Sequence, residues 1–233
     1  MVEHSFTNTV ELLGHYGSDE THAASAWTST TRAIEENRHR IPELLAMLAR
    51  EGHGTPFEKS YLHFLVTTDI ATHIHIIKHR IGVSVNSESA RYKELKDDKF
   101  YIPVDWSEEE RMRLLEHMLQ AYHRYHAALK RLEPVLGRKR AKESARFYLP
   151  YANQITADVA FNFRSFILFQ QLRNSKHAQL EVREVAQQML KLVRGLGMFR
   201  HSLAAFGDTG CEVCCFAEPC VHLEAVKRAN ETE

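Results

Sequence analysis

The longest regular signal in the sequence is a run of apolar residues, Met112, Leu115, Met118, Leu119, Tyr122, Leu129 and Leu132, recurring at steps of three and four. That period lays one apolar stripe along a helix, and the stripe has to be covered by something else. Pro103 to Ser107 starts this helix and Gly137 ends it. Two shorter runs carry a different pattern. Residues 60–68 are rich in Tyr, Phe, Leu, Val and Thr without a helical stripe, and Ile155, Ala157, Val159, Phe161 and Phe163 alternate with polar neighbours. Both predict strands.

Other helices are expected over 20–36 with Ser18 as cap, from Pro42 to about residue 50, from an Asp69 cap through 80, over 141–147 up to Pro150, over 165–173 and over 178–194. Segment 82–88 reads as a polar loop and 93–99 as a solvated charged connection. Helices dominate and a few strands supply a sheet, so the fold class is α+β. The Tyr122/Tyr125 and Met112/Met118 pairs read as core or subunit-interface residues. With 10 Gly and 6 Pro in 233 residues there is no room for a long linker, which favours one continuous domain.

Thirty basic residues balance thirty acidic ones. A protein dedicated to duplex nucleic acid carries a net basic surface, so this balance speaks against one. No apolar run approaches the ~20 residues of a spanning helix, and Met1-Val2-Glu3-His4-Ser5 lacks a basic segment leading into an apolar one. A cytoplasmic protein without a membrane partner is expected. All four cysteines, Cys211, Cys214, Cys215 and Cys220, fall near the carboxyl end with His222 just beyond. A disulfide is the poorer reading in that compartment; Cys211-x-x-Cys214 suits two thiolates on zinc, yet no separated second pair closes such a site. No metal residue is assigned.

The segment richest in chemistry is Lys78-His79-Arg80-Ile81-Gly82-Val83-Ser84-Val85-Asn86-Ser87-Glu88-Ser89-Ala90-Arg91-Tyr92. Guanidinium forks beside hydroxyl and amide donors are the inventory a phosphate calls for; read blandly, the same segment is a basic helix end and a solvated turn. It resembles the signature of flavin-dependent thymidylate synthases, R-H-R-x-x-S-x-N-E-x-S-x-R-Y, through His79, Arg80, Ser84, Asn86, Ser89, Arg91 and Tyr92, with one extra residue before Ser84. Lys78 stands in the first Arg position and Ser87 in the Glu position, which Glu88 fills if the gap is placed later. Further segments resemble the same family in order: Gly17-Ser18-Asp19, His53-Gly54-Thr55-Pro56-Phe57-Glu58 with Lys59 replacing a second His, Arg146-Phe147-Tyr148-Leu149-Pro150, Asn162-Phe163-Arg164, and Ala178-Gln179-Leu180-Glu181-Val182-Arg183.

The resemblance implies helices packed around a small, mostly antiparallel sheet, a catalytic domain over 1–205 and a tail over 206–233. It implies reductive methylation of dUMP to dTMP with methylenetetrahydrofolate and NADPH as co-substrates and FAD as cofactor, in a homotetramer. Ser89, Arg91, Arg146 and Arg183 would bind the nucleotide. Arg183 would act catalytically as a fixed cation at the pyrimidine, and Ser89 as an orienting hydroxyl, since no base stands beside it to make it a nucleophile. His53, Thr55, Lys78, His79, Arg80, Asn86, Asn162 and Arg164 would bind flavin, Lys78 without the planar fork of an Arg. His75 stands where the family commonly has Gln and is read, with His73, as structural. Two alternatives are a related transferase acting on another pyrimidine nucleotide such as dCMP, motivated by Ser87 and His75, and a non-catalytic nucleotide- or metal-binding paralogue, motivated by Lys59, Lys78, Ser87 and the Cys tail.

Overall fold

A computed structural model describes residues 7–30, 33–89, 94–95 and 98–208; the four cysteines and Arg91 lie outside the described residues. In chain order the elements are β1 (Thr9–Tyr16), α1 (Asp19–Trp27), α2 (Ile34–Asn37), α3 (Ile41–Arg50), β2 (Tyr61–Asp69), α4 (Ile70–Ile77), β3 (Val83–Ser87), α5 (Glu108–Ala145), β4 (Gln154–Asn162), α6 (Phe163–Arg173), α7 (Leu180–Leu196) and α8 (Arg200–Ala205). The four strands form one antiparallel sheet in the order β1-β2-β4-β3, and the class is α+β. The β2-β4 register is fixed at both ends: the Phe163 N–H donates to the Ser60 carbonyl and the Ile70 N–H to the Asn153 carbonyl.

The described residues divide into two compact units, drawn from 7–9, 66–78 and 86–158 and from 10–65, 79–85 and 159–208. In the first, Met118, Tyr122, Tyr125, Ala128 and Leu129 of α5 pack with Leu95, Phe100, Ile102, Ala141 and Ala145. The stripe read from the sequence is therefore the core face through Met118, Tyr122 and Leu129, with Leu115 and Leu132 partly buried against it, while Met112 and Leu119 are exposed. Gly137 interrupts α5 with φ 75° and ψ 154°, so the helix does end there and a second segment continues to Ala145. The buried Tyr122 hydroxyl lies 2.6 Å from the Lys99 carbonyl and 2.5 Å from Asn153 Oδ1. Burial pushes its phenol far above the usual range.

In the second unit the core is aromatic. Phe57, Phe64, Phe161, Phe163, Phe166, Phe169 and Phe199 have no exposed surface. Phe163 stacks on Phe199 at 5.2 Å, and Phe57 meets Phe206 edge-on at 4.8 Å. The α7 stripe of Val182, Val185, Met189, Leu190 and Val193 is buried throughout. A fully buried Phe contributes about 1.5–3 kcal/mol by area alone, so this cluster dominates the stability of its unit.

Three expectations need correction. The helix expected over 20–36 stops at Trp27, where the Thr28 and Ser29 hydroxyls turn back onto the Ala24 and Ala26 carbonyls and compete with the helical ladder. The helix capped by Asp69 stops at Ile77 rather than 80. Segment 82–88 is a strand over its middle: Val83 and Val85 alternate with Ser84 and Asn86, and the Asn162 N–H to the Gly82 carbonyl and the Glu88 N–H to the Thr156 carbonyl bond it to β4. Strand β1 and helix α8 went unread. Ser18 does cap α1: its hydroxyl accepts from the Thr21 N–H and the Thr21 hydroxyl accepts from the Ser18 N–H. Among the described residues no helix is long and apolar enough to cross a membrane.

Candidate active site

In the second unit, three separated segments converge on the start of α6. Asn162 caps that helix through its Oδ1, which accepts from the Ser165 N–H at 2.8 Å. The Ser165 hydroxyl donates to the Ile81 carbonyl at 2.7 Å, drawing in the turn that follows Arg80. Gly82 sits in this turn at φ 65°, and a Cβ there would lie 2.2 Å from Asn162 Nδ2, so both conformation and space require glycine. Arg164 follows on the exposed side of the helix, and its Nη1 donates to Glu58 Oε1 at 2.6 Å. Glu58 ends a short 3-10 turn, Thr55–Glu58, that the buried Phe57 anchors. His53 and Thr55 are exposed beside it.

The far end of α6 reaches another part of the signature. The Arg173 Nε donates to His79 Nε2 at 3.0 Å, and the edge of the His79 ring meets Phe169 at 5.0 Å. Burial, with the Arg173 cation second, lowers the His79 pKa to about 4. Accepting at Nε2 requires a neutral ring with its proton on Nδ1. His79 is therefore a neutral N–H donor flanked by a fixed cation, and Arg80 beside it is exposed.

Arg183 sits differently from its motif neighbours. It is only 8% exposed, in the first turns of α7, and its Nη1 donates to the Lys176 carbonyl at 3.5 Å. Arg173, which sequence reading passed over, is the arginine that meets His79. Nothing in the sequence distinguishes it from an ordinary cation in the last turn of a helix. Glu58 was legible only as part of a segment, and its ion pair only from the fold.

In the first unit, Lys78 is exposed at the end of α4, Asn86 is exposed on β3, Ser89 is half-buried and Arg146 is exposed on the 3-10 turn Arg146–Tyr148. Ser87 faces away from Asn86, as alternation along a strand demands, and its hydroxyl lies 3.1 Å from Nε2 of the buried His73. Glu88 is held at the sheet: its carboxylate accepts from the Thr156 N–H at 3.3 Å. Among the described residues no three His, Cys, Asp or Glu side chains are grouped as metal ligands.

Solved structures of a UMP/dUMP methylase, PolB from Streptomyces cacaoi, bound with 5-Br UMP and with 5-Br dUMP, match with TM-scores of 0.74 and 0.75 at 27% identity, covering 90% of this chain and 97% and 98% of theirs. Proteins named flavin-dependent thymidylate synthase are similar along most of the sequence. That of Pseudothermotoga lettingae is 33% identical over 196 residues, 80% of this chain and 85% of its own length. That of Tropheryma whipplei is 32% identical over 234 aligned positions, 87% of this chain and 93% of its own. The family model Thy1, thymidylate synthase complementing protein, matches residues 11–196, which takes in both converging clusters, and the chain belongs to that family.

Proposed function

We propose that this chain is a flavin-dependent methyltransferase that converts dUMP to dTMP. The observation that carries the reading is the convergence at α6 of the 53–58, 79–82 and 162–164 segments, each of which resembles a flavin-binding segment of the family. The donor set suits FAD: an exposed guanidinium for a pyrophosphate, and a neutral imidazole N–H with further cations for the polar edge of an isoalloxazine. FAD reduced by NADPH supplies, when bound, the hydride that completes a methyl group on C5 of the pyrimidine from the methylene of methylenetetrahydrofolate.

The chain's own residues hold and polarise. Arg164, His79, Arg80, Thr55, His53, Asn86 and Lys78 take the cofactor, with Asn162 supporting them through the cap of α6. Arg146, Arg91 and Ser89 take the nucleotide phosphate and orient the base. The cation that stabilises enolate-like charge on the pyrimidine is assigned to Arg173, since it is fixed beside His79, in preference to the buried Arg183. The assembly is a homotetramer, to be checked by light scattering.

The test is direct. Purified protein shows flavin absorption bands, and with NADPH, methylenetetrahydrofolate and dUMP it forms dTMP; bound flavin without dTMP rejects the reading. Arg173→Ala loses turnover while folding normally, whereas Arg183→Ala loses stability first. The likeness to a UMP/dUMP methylase favours one second reading, in which UMP is also a substrate. Turnover of UMP at a rate comparable with dUMP establishes it, and selectivity of a hundredfold for dUMP removes it.

A further inference from the structure

Gly54 and Glu58 flank the guanidinium of Arg164, and neither is among the residues assigned to a ligand above. A Cβ built on Gly54 would lie 2.5 Å from Arg164 Nε, 2.6 Å from its Cζ and 2.9 Å from its Cδ. The Gly54 backbone has φ −75° and ψ −25°, which any residue adopts. The bare backbone at residue 54 is what lets the Arg164 side chain lie across it; a methyl there would push the flexible end of Arg164 aside. From that position its Nη1 reaches Glu58 Oε1 at 2.6 Å, and among the described residues the Arg164 side chain makes no other hydrogen bond.

The loop beneath is firmly tied. The His53 N–H donates to the Leu48 carbonyl at 2.8 Å and the Phe57 N–H to the Gly54 carbonyl at 3.1 Å. The Arg164 side chain is nonetheless 55% exposed. A guanidinium has five N–H groups in one rigid plane. With one corner paired to Glu58 and the stem lying against residue 54, the rest of the fork is displayed to solvent.

We propose that Gly54 and Glu58 are positioning residues that hold Arg164 ready for an anionic ligand, Gly54 by leaving room for the side chain and Glu58 by anchoring one corner of the fork. On the function proposed above, on which this inference rests, that ligand is the pyrophosphate of FAD. A free Arg loses rotamer freedom when it binds; a held one has already lost it. Glu58 also offsets part of the positive charge. The pair is exposed, where Coulomb terms are screened and small, so orientation outweighs neutralisation and removing Glu58 weakens binding.

Full-length apoprotein titrated with FAD, followed by flavin fluorescence, tests this. Gly54→Ala and Glu58→Ala each weaken binding about three- to tenfold, the range expected for immobilising one long side chain. Glu58→Gln, which keeps an acceptor oxygen, recovers most of the loss. In an Arg164→Ala background neither change alters the dissociation constant further, because both act through that side chain. Gly54→Ala keeps the wild-type melting temperature, since the new methyl displaces only the flexible end of Arg164.

Equal losses with and without Arg164 overturn the proposal, as does tighter FAD binding by Glu58→Ala. A wild-type protein that binds no FAD overturns the functional reading together with this assignment. FAD binding with additive mutants overturns this assignment alone.

Discussion

Two histidines of the second unit have the same lowered pKa and opposite surroundings. His22, on α1, has no exposed surface. Both ring nitrogens have partners: Nδ1 lies 2.8 Å from the Ser202 hydroxyl and Nε2 2.7 Å from the Ser60 hydroxyl. Ser202 in turn donates through its N–H and its hydroxyl to Asp19, which also accepts from the His201 N–H. Phe57, Phe163 and Phe199 surround the ring at 5.0–5.9 Å. His79 is half-buried, with Arg173 on one nitrogen and Phe169 at its edge. Burial is the main cause in both cases, bringing each pKa to about 4; at His79 a neighbouring cation adds to it. One ring is saturated and closed, and it ties α1, α8 and the start of β2 together. The other is half-open, paired with the half-buried Arg173 and followed by the exposed Arg80. A depressed histidine pKa is thus no mark of an active site until its partners are known.

Substitutions separate the two. Phe163→Ala, which empties the cage around His22, is expected to cost about 3–5 kcal/mol in urea unfolding; a cost below 1 kcal/mol would mean that the cage is loose and the contrast weak. The pH dependence follows from the sign of the His22 shift. Its folded pKa of about 4 lies below the unfolded value near 6.5, so the unfolded chain takes up the proton first as pH falls. Its contribution is complete above pH 6.5 and is lost progressively down to pH 4, reaching about 3 kcal/mol. Comparing wild type with His22→Gln across that window isolates it; parallel stability curves would show that His22 does not titrate as described.

At the other ring, Arg173→Met raises the His79 pKa from about 4 but leaves it short of 6.5, because burial, the larger cause, remains. Imidazole titration by NMR reads this, and an unmoved His79 would remove Arg173 from the site. The smallest effect belongs to the capping box of α1. Ser18→Ala costs about 1 kcal/mol without moving the His79 titration; a moved titration would show that the closed region governs the open one.

How much of this was legible beforehand varies with the kind of signal. The α5 stripe and its start by Ser107, the Ser18 and Asp69 caps and the alternation of β4 are local patterns, and all were readable. Segment 82–88 misled because hydroxyl and amide side chains mark loops, while the hydrogen bonds that make it a strand come from β4, some seventy residues away. His22 gave no sign at all, since a histidine among alanines reads as a surface residue until three phenylalanines from elsewhere enclose it.

By itself the sequence determined the α+β class and the family, since periodicity, capping and motif order are properties of the linear chain. Only the tertiary structure decided which side chains of the motif segments meet. It set Arg173 rather than Arg183 against His79, paired Arg164 with Glu58 across a glycine, and spent Asn162 on a helix cap. The reason is physical. Which two side chains touch depends on how separated segments pack in three dimensions, and an ion pair or hydrogen bond across a hundred residues leaves no periodic trace in the chain that encodes it.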